Sequence, residues 1–331
     1  MAEYKDAKGI KVQSLSADPP APFVGQVWYN TTSGDLKYYG DAIPATWATG
    51  GSLGTAKYQT SGAGTKTAAL NFGGAVPSPY VPTNLTEEYD GSAWTAGGTL
   101  STSRRSGAGF GLQTAALLAT GTAVPGRTNS TEEYDGSTWT AGGNVGSSKT
   151  QLGGCGIQTA GLIFGGSPLP LTSEEYNGSA WTAGGTLTNG GYDLMSAGTQ
   201  TAALAIGGSG GGGPPDNNTT EEYDGTTWTA GGTLNTGGSQ GAGAGTQTAA
   251  IIFSGNNASN SFTNRTEIYD GSTWTNSVNI NTARNWFASS INSPQSSTIA
   301  FGGETSGLPA TTETEEFTGA TPAGVRIIGT D

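Results

Sequence analysis

The chain has 331 residues, only 11% of them charged, and its 57 glycines would suggest disorder if eight tryptophans, twelve tyrosines and nine phenylalanines did not recur at regular intervals. A net charge of −12 opposes binding to duplex nucleic acid. The absence of histidine removes the commonest general base and metal ligand, and a single cysteine, Cys155, excludes an intrachain disulfide.

The first segment, "MAEYKDAKGIKVQSLSADPP", lacks the apolar core of a signal peptide, and no apolar run is long enough to span a bilayer. Residues 1–24 read as an extended arm carrying Lys5, Lys8 and Lys11, with Pro19, Pro20 and Pro22 at its end. Such an arm suits docking as a strand on another subunit. "GQVWYNTTSGDLKYYG", Gly25 to Gly40, reads as a hairpin of two aromatic-rich runs about a Ser-Gly-Asp turn. Residues 25–50 therefore comprise this hairpin and a further strand around Trp47, residues 51–319 a repeat region, and residues 320–331 a C-terminal tail.

The repeat is plain in "TEEYDGSTWTAGG" from Thr131, with near copies from Thr86, Ser173, Thr220 and Thr266. Trp47, Trp94, Trp139, Trp181, Trp228 and Trp274 mark a period of 42 to 47 residues. Each copy reads as four short strands. Strand a is a small-residue run such as "SGAGT", strand b a run such as "KTAALNFGG", strand c "TEEYD" and strand d "TWTAGG". Asp-Gly or Asn-Gly between c and d is a strong hairpin signal, because glycine accepts the positive φ the turn needs. Four strands in 40 to 50 residues is the size of a propeller blade. The expected fold is all-β: a six-bladed β-propeller of four-stranded antiparallel blades, with small residues where inner strands converge. Each tryptophan, placed between blades, would remove about 150–250 Å² from water, worth at most about 4–6 kcal/mol. The sixth c strand, "TEEF", ends at Phe317 with no "WT" after it, whereas Trp47 is spare at the front. The N-terminal segment is thus expected to donate strand d to the last blade and close the ring, although "LKYYGD" from Leu36 could instead compete with "TEEF" for the c position.

Gly-Gly ending one strand, tyrosine in the next and tryptophan in the one after resembles the kelch repeat, from about Leu36 to Phe317. Two copies depart from it, with "ATG" at Gly121 and "FSG" at Gly255. The resemblance speaks to architecture, since kelch-like propellers serve many roles. "GQVWYNTTSGDLK" also resembles short N-terminal pieces of structural proteins of tailed bacteriophages. That resemblance implies a virion protein of the tail, a fibre or the capsid surface, present in many copies, assembled in the bacterial host cytoplasm and attached to other virion proteins through the arm. Read without it, the segment is a capping hairpin behind a tail.

The candidate chemistry is sparse. The pairs Glu87–Glu88, Glu132–Glu133, Glu174–Glu175 and Glu221–Glu222 sit on strands, where adjacent side chains face opposite ways, so repetition points to structure. "YDGSTWT" resembles the Asp-box of sialidase-like propellers only faintly, and copper oxidases on kelch propellers need histidine. Asp90, Asp135, Asp224 and Asp270 read as turn residues rather than metal ligands, and Cys155 as a small packed residue. No cofactor and no catalytic residue is expected. What varies is the b–c and d–a loops, which emerge on one face. Arg104, Arg105, Arg127, Arg265 and Arg284 fall there, with Tyr80, Tyr192, Phe262 and Trp286. Arginine and aromatics dominate interface energetics, so this face is the expected binding surface for a partner protein or a host-surface glycan. The alternatives are a bacterial lectin-like or scaffold module, or a glycan-cleaving enzyme.

Overall fold

The structure, a computed structural model, describes residues 12–77, 80–168, 171–210, 217–257 and 259–328. Lys5, Lys8 and Lys11 lie outside the described residues, as do parts of four b–c loops. Strands and turns make up the described chain, which contains no helix. It divides into two units, residues 1–46 with 319–331, and residues 47–318.

The smaller unit is one four-stranded sheet in the order Gln13–Leu15, Val27–Asn30, Asp35–Gly40 and Gly324–Ile327. The hairpin expected at Gly25 to Gly40 is its centre. Two expectations are corrected here. The end of the arm is a strand pairing in parallel with Val27–Asn30, and the C-terminal segment is no tail, because Gly324–Ile327 pairs antiparallel with the hairpin. "LKYYGD" belongs to this sheet and so does not compete for a place beside "TEEF". Trp28 is fully buried, and Asp18 ties the sheet together by accepting from Trp28 Nε1 at 3.0 Å, Asn30 Nδ2 at 2.8 Å and Lys37 Nζ at 3.1 Å.

The larger unit holds six four-stranded sheets among the described residues, each in the order a, b, c, d. In the first five the four strands are successive in the chain; the second, for example, is Ala108–Leu112, Ala115–Ala119, Thr131–Tyr134 and Trp139–Ala141, all antiparallel. The sixth is Ala288–Ser289, Ser297–Phe301 and Thr314–Thr318, with Thr46–Thr49 from the far end of the chain in the outermost place. Strand a of each sheet lies against strand a of the next, and the sixth lies against both the fifth and the first. This approach is too close for side chains. A Cβ on Gly62 would meet the Ser289 carbonyl oxygen at 2.5 Å, and one on Gly109 would meet Phe72 Cζ at 2.7 Å.

The repeated letters are spent on joining neighbouring sheets. Each c-strand tyrosine donates its hydroxyl to the second glutamate of the preceding sheet: Tyr134 to Glu88, Tyr176 to Glu133, Tyr223 to Glu175, Tyr269 to Glu222 and, across the chain ends, Tyr89 to Glu316. At the junction of the fifth and sixth sheets both partners are missing, since Ile268 replaces the glutamate and Phe317 the tyrosine. The a–b turn glutamines reach back to two carbonyls of the previous sheet, as Gln113 does to Ala69 and Tyr89. In the first copy Lys66 takes that role, donating to the Phe317 carbonyl at 3.1 Å and pairing with Glu316. Each indole stacks on its own c-strand tyrosine or on the neighbour's phenylalanine; Trp139 does both, at 4.9 Å from Tyr134 and from Phe72, and donates to Thr86 Oγ1. The first glutamate of each pair accepts backbone N–H groups from the d–a connection that arrives from the preceding sheet, as Glu132 does from Ser101 and Glu87 from Gly54.

Candidate functional site

At the end of the larger unit where each d–a connection enters strand a, one residue per copy sits two positions before the strand. These residues are Gln59, Ser106, Gln151, Asp193, Gln240 and Trp286, and all six have left-handed backbones, with φ between 49° and 61°. Their amides and carbonyls form a closed circle. Ser106 N donates to Gln59 O at 2.9 Å, Gln151 to Ser106 at 2.8 Å, Asp193 to Gln151 at 2.8 Å, Gln240 to Asp193 at 3.1 Å, Trp286 to Gln240 at 3.0 Å, and Gln59 back to Trp286 at 2.7 Å. The six side chains line the mouth of a cavity of about 140 Å³. Ile291, nearly buried, also lines it. The next residue, Asn292, crosses to the second and third sheets, accepting from Gly111 N at 3.0 Å and donating to Gly156 O at 2.9 Å. The sixth strand a stops at Ser289, and the departing chain places Ile291 in the cavity lining and Asn292 against the second and third sheets.

The mouth is polar and asymmetric. Gln151 Nε2 donates to both oxygens of Asp193, at 3.0 and 3.2 Å, and Gln240 Nε2 donates to one at 3.0 Å. Gln240 Oε1 accepts from Asn256 and Asn285. Arg105 donates to Gln59 Oε1. Desolvation raises the Asp193 carboxyl above its usual range, against the lowering effect of hydrogen bonds from Gln240, Gln151 and Trp286. Burial raises Glu304 in the same way. The Tyr58 ring lies 6.2 Å from Trp286, tilted, and 5.9 Å from Tyr80, edge to face, which makes an aromatic file leading to the mouth.

The residues expected at the binding face divide into two groups. Arg104, Arg265 and Arg284 are inside, a correction to their expected exposure. Arg104 pairs with Glu132 at 2.8 Å and Arg284 with Glu315 at 2.6 Å. Lys57 and Lys149 hold the equivalent place, four residues before strand a, and pair with Glu87 and Glu174. A glutamate with its carboxylate turned inward needs a cation nearby, and the sequence supplies one at this fixed offset in four copies. In the fifth copy Gly238 stands there instead, and the Arg265 guanidinium fills the vacated space while donating to the Thr236 and Gly237 carbonyls. In the fourth copy Gly191 stands there, and Glu221 accepts the Thr188 and Asn189 amides.

The remaining residues stay accessible at this end. Tyr80, Arg127 and Tyr192 are exposed, while Arg105, Phe262 and Trp286 are half-buried. Trp286 and Arg105 belong to the mouth, and Tyr80 joins it through Tyr58. Arg127 donates to Ser167 Oγ at 3.1 Å, out on the loops. Gln59, Ser106, Gln151, Asp193 and Gln240 were not expected. Their constant offset from strand a, combined with a changing polar side chain, was the available signal. The turn aspartates each accept from their own turn, as Asp135 does from Ser137 and Thr138, and Cys155 is fully buried with its thiol pushed up by desolvation. Among the described residues no cluster of three or more acidic or cysteine side chains could hold a metal ion.

No protein-family model and no curated protein matches the sequence. Among solved structures the chain is similar to YjhT, with a TM-score of 0.67 and 13% identity over 83% of this chain and 99% of that one. At that identity the likeness concerns fold alone, and with the multiple four-stranded sheets it supports a β-propeller.

Proposed function

We propose that this chain is a six-bladed, kelch-like β-propeller that serves a tailed-phage virion as a structural and recognition protein, on the tail, a fibre or the capsid surface. It binds rather than catalyses. Its N-terminal segment attaches it to other virion proteins, and the loop end of the propeller engages a partner protein or host-surface glycan. One observation carries the reading: the repeated polar side chains are consumed in sheet-to-sheet bonds, whereas the side chains that differ between copies gather at one end. The cycle of neighbouring strands a supports the blade count, and the tyrosine–tryptophan pairing in each copy supports the kelch likeness. Interface energy concentrates in aromatic and arginine side chains, and Tyr80, Arg127 and Tyr192 are the exposed ones here. Mass spectrometry of purified particles tests the virion reading, and absence of the chain from particles overturns it. Replacing Tyr80, Arg127 and Tyr192 together by alanine should abolish host-cell binding with unchanged melting; undiminished binding counts against this end.

A further inference from the structure

We infer that the cavity ringed by Gln59, Ser106, Gln151, Asp193, Gln240 and Trp286 binds a single neutral sugar ring, held by hydrogen bonds to Asp193 and its flanking carboxamides. The inference rests on reading this end of the propeller as its recognition end, and it names the class of ligand.

A left-handed conformation costs an ordinary side chain roughly 1–2 kcal/mol, and glycine avoids that cost. Of the other recurring left-handed positions, one is glycine in all six copies, from Gly74 to Gly303, and two are glycine in five copies, from Gly64 to Gly245 and from Gly91 to Gly271, while at a fourth Thr120 and Ser254 stand in two of the copies. The circle of six backbone bonds needs no side chain and would close as well with glycine. A chain with 57 glycines places none there. Six strained side chains in one ring are therefore present for what they hold out to the cavity, as strain tends to gather at ligand sites.

What they hold out varies between copies: three carboxamides, one carboxylate, one hydroxyl and one indole. Asp193 has no cation within ion-pair distance among the described residues, and its copy is the one in which Gly191 replaces the buried lysine or arginine. A desolvated carboxylate without a cation is a poor structural device. Two glutamines aim their N–H groups at it and fix its direction. The Trp286 N–H also faces the Asp193 carboxylate, so the indole, the two glutamines and the carboxylate form one polar cluster on the cavity wall.

Donors and acceptors a few ångströms apart, beside an aromatic ring, match vicinal hydroxyls and the apolar face of a sugar. An anionic ligand would meet Asp193. A cationic one would meet Arg105, which is fastened to the rim by Gln59. At about 140 Å³ the cavity is below the roughly 300–1,000 Å³ of pockets for drug-sized molecules, so it admits one ring and leaves the rest of any glycan outside.

The test is saturation-transfer NMR on the full chain with neutral monosaccharides up to about 50 mM, a range that detects millimolar affinity, together with a uronic acid and a hexosamine. The expected result is saturable binding of at least one neutral sugar, weakened tenfold or more by Asp193→Asn and by Gln151→Ala, and unchanged by Thr140→Ala on an exposed outer strand. Asp193→Asn keeps shape and removes charge, so folding is preserved. A ligand-induced change in tryptophan fluorescence, lost in Trp286→Phe, provides a second readout. Absence of saturable binding by every sugar, preference for the charged ones, or full affinity in Asp193→Asn and Gln151→Ala would each overturn the inference. Sugar binding by a protein missing from virions refutes only the virion assignment, whereas cell binding retained in Asp193→Asn, with no free sugar bound, refutes only this inference.

Discussion

Replacing Trp47 by alanine tests how the larger unit is held together. Trp47 is 7% exposed, lies 4.9 Å from Phe253 in the fifth sheet and 5.1 Å from Phe317 in the sixth, and donates to the Val278 carbonyl at 3.1 Å. Its neighbours are more than two hundred positions away in sequence, so its burial exists only when the chain ends meet. Removing an indole of this size exposes about 150–250 Å², at most about 4–6 kcal/mol of transfer energy, and truncations of buried aromatics generally cost about 3–5 kcal/mol. The Val278 carbonyl adds little, because Val278 is exposed and water can replace the indole. We expect a loss of about 3–5 kcal/mol by urea unfolding with unchanged m-value, or a fall in Tm of about 6–15 °C. Trp139→Ala, at an internal junction and 8% exposed, is the control and should cost the same. If Trp47→Ala costs less than about 1 kcal/mol while Trp139→Ala costs the full amount, the sixth sheet does not depend on its borrowed strand, and the account of closure fails.

The Ile268 and Phe317 junction offers a gain. Phe317→Tyr alone should destabilise by about 1–3 kcal/mol by burying an unpaired hydroxyl, and Ile268→Glu added to it should recover that loss; a double-mutant cycle with no coupling would refute the pairing. Tyr89, Tyr134, Tyr176, Tyr223 and Tyr269 are pushed up to about 12 by desolvation and by their glutamate partners. The unfolded chain loses these protons first, near pH 10, so stability should fall steeply between pH 10 and 12, and a flat denaturation profile there would contradict the bonds. Asp193 is raised by burial, so the folded state binds its proton more tightly and stability declines as pH climbs past the ordinary carboxylate range. Asp193→Asn should therefore melt at or above the parent at pH 7, with the difference vanishing in acid; a lower Tm at pH 7 would show that the charge is structural.

Much of this molecule could be read along the chain because it is periodic. Asp-Gly and Asn-Gly placed the c–d hairpins, the small-residue runs marked the inner strands, and the missing tryptophan after Phe317 pointed to Trp47 as the outer strand of the last sheet. These features depend on local geometry or counting, which one dimension carries. The paired glutamates were legible as scaffold for the same reason, though not their partners, which come from neighbouring sheets. The fate of the arginines was not legible. Arg104 and Arg105 are adjacent, yet one is sealed against Glu132 and the other reaches Gln59 at the cavity mouth. Strand alternation sends neighbours to opposite sides, and only packing decides which side is solvent. The C-terminal strand was missed because its partner, the hairpin at Asp35–Gly40, lies nearly three hundred residues away. The cavity was missed because its six residues are 42 to 47 positions apart and include three glutamines but also serine, aspartate and tryptophan. Sequence alone determined the strand, the turn and the period; the circle that brings Asp193 among Gln151, Gln240 and Trp286 exists only once backbone amides from every sheet close upon one another.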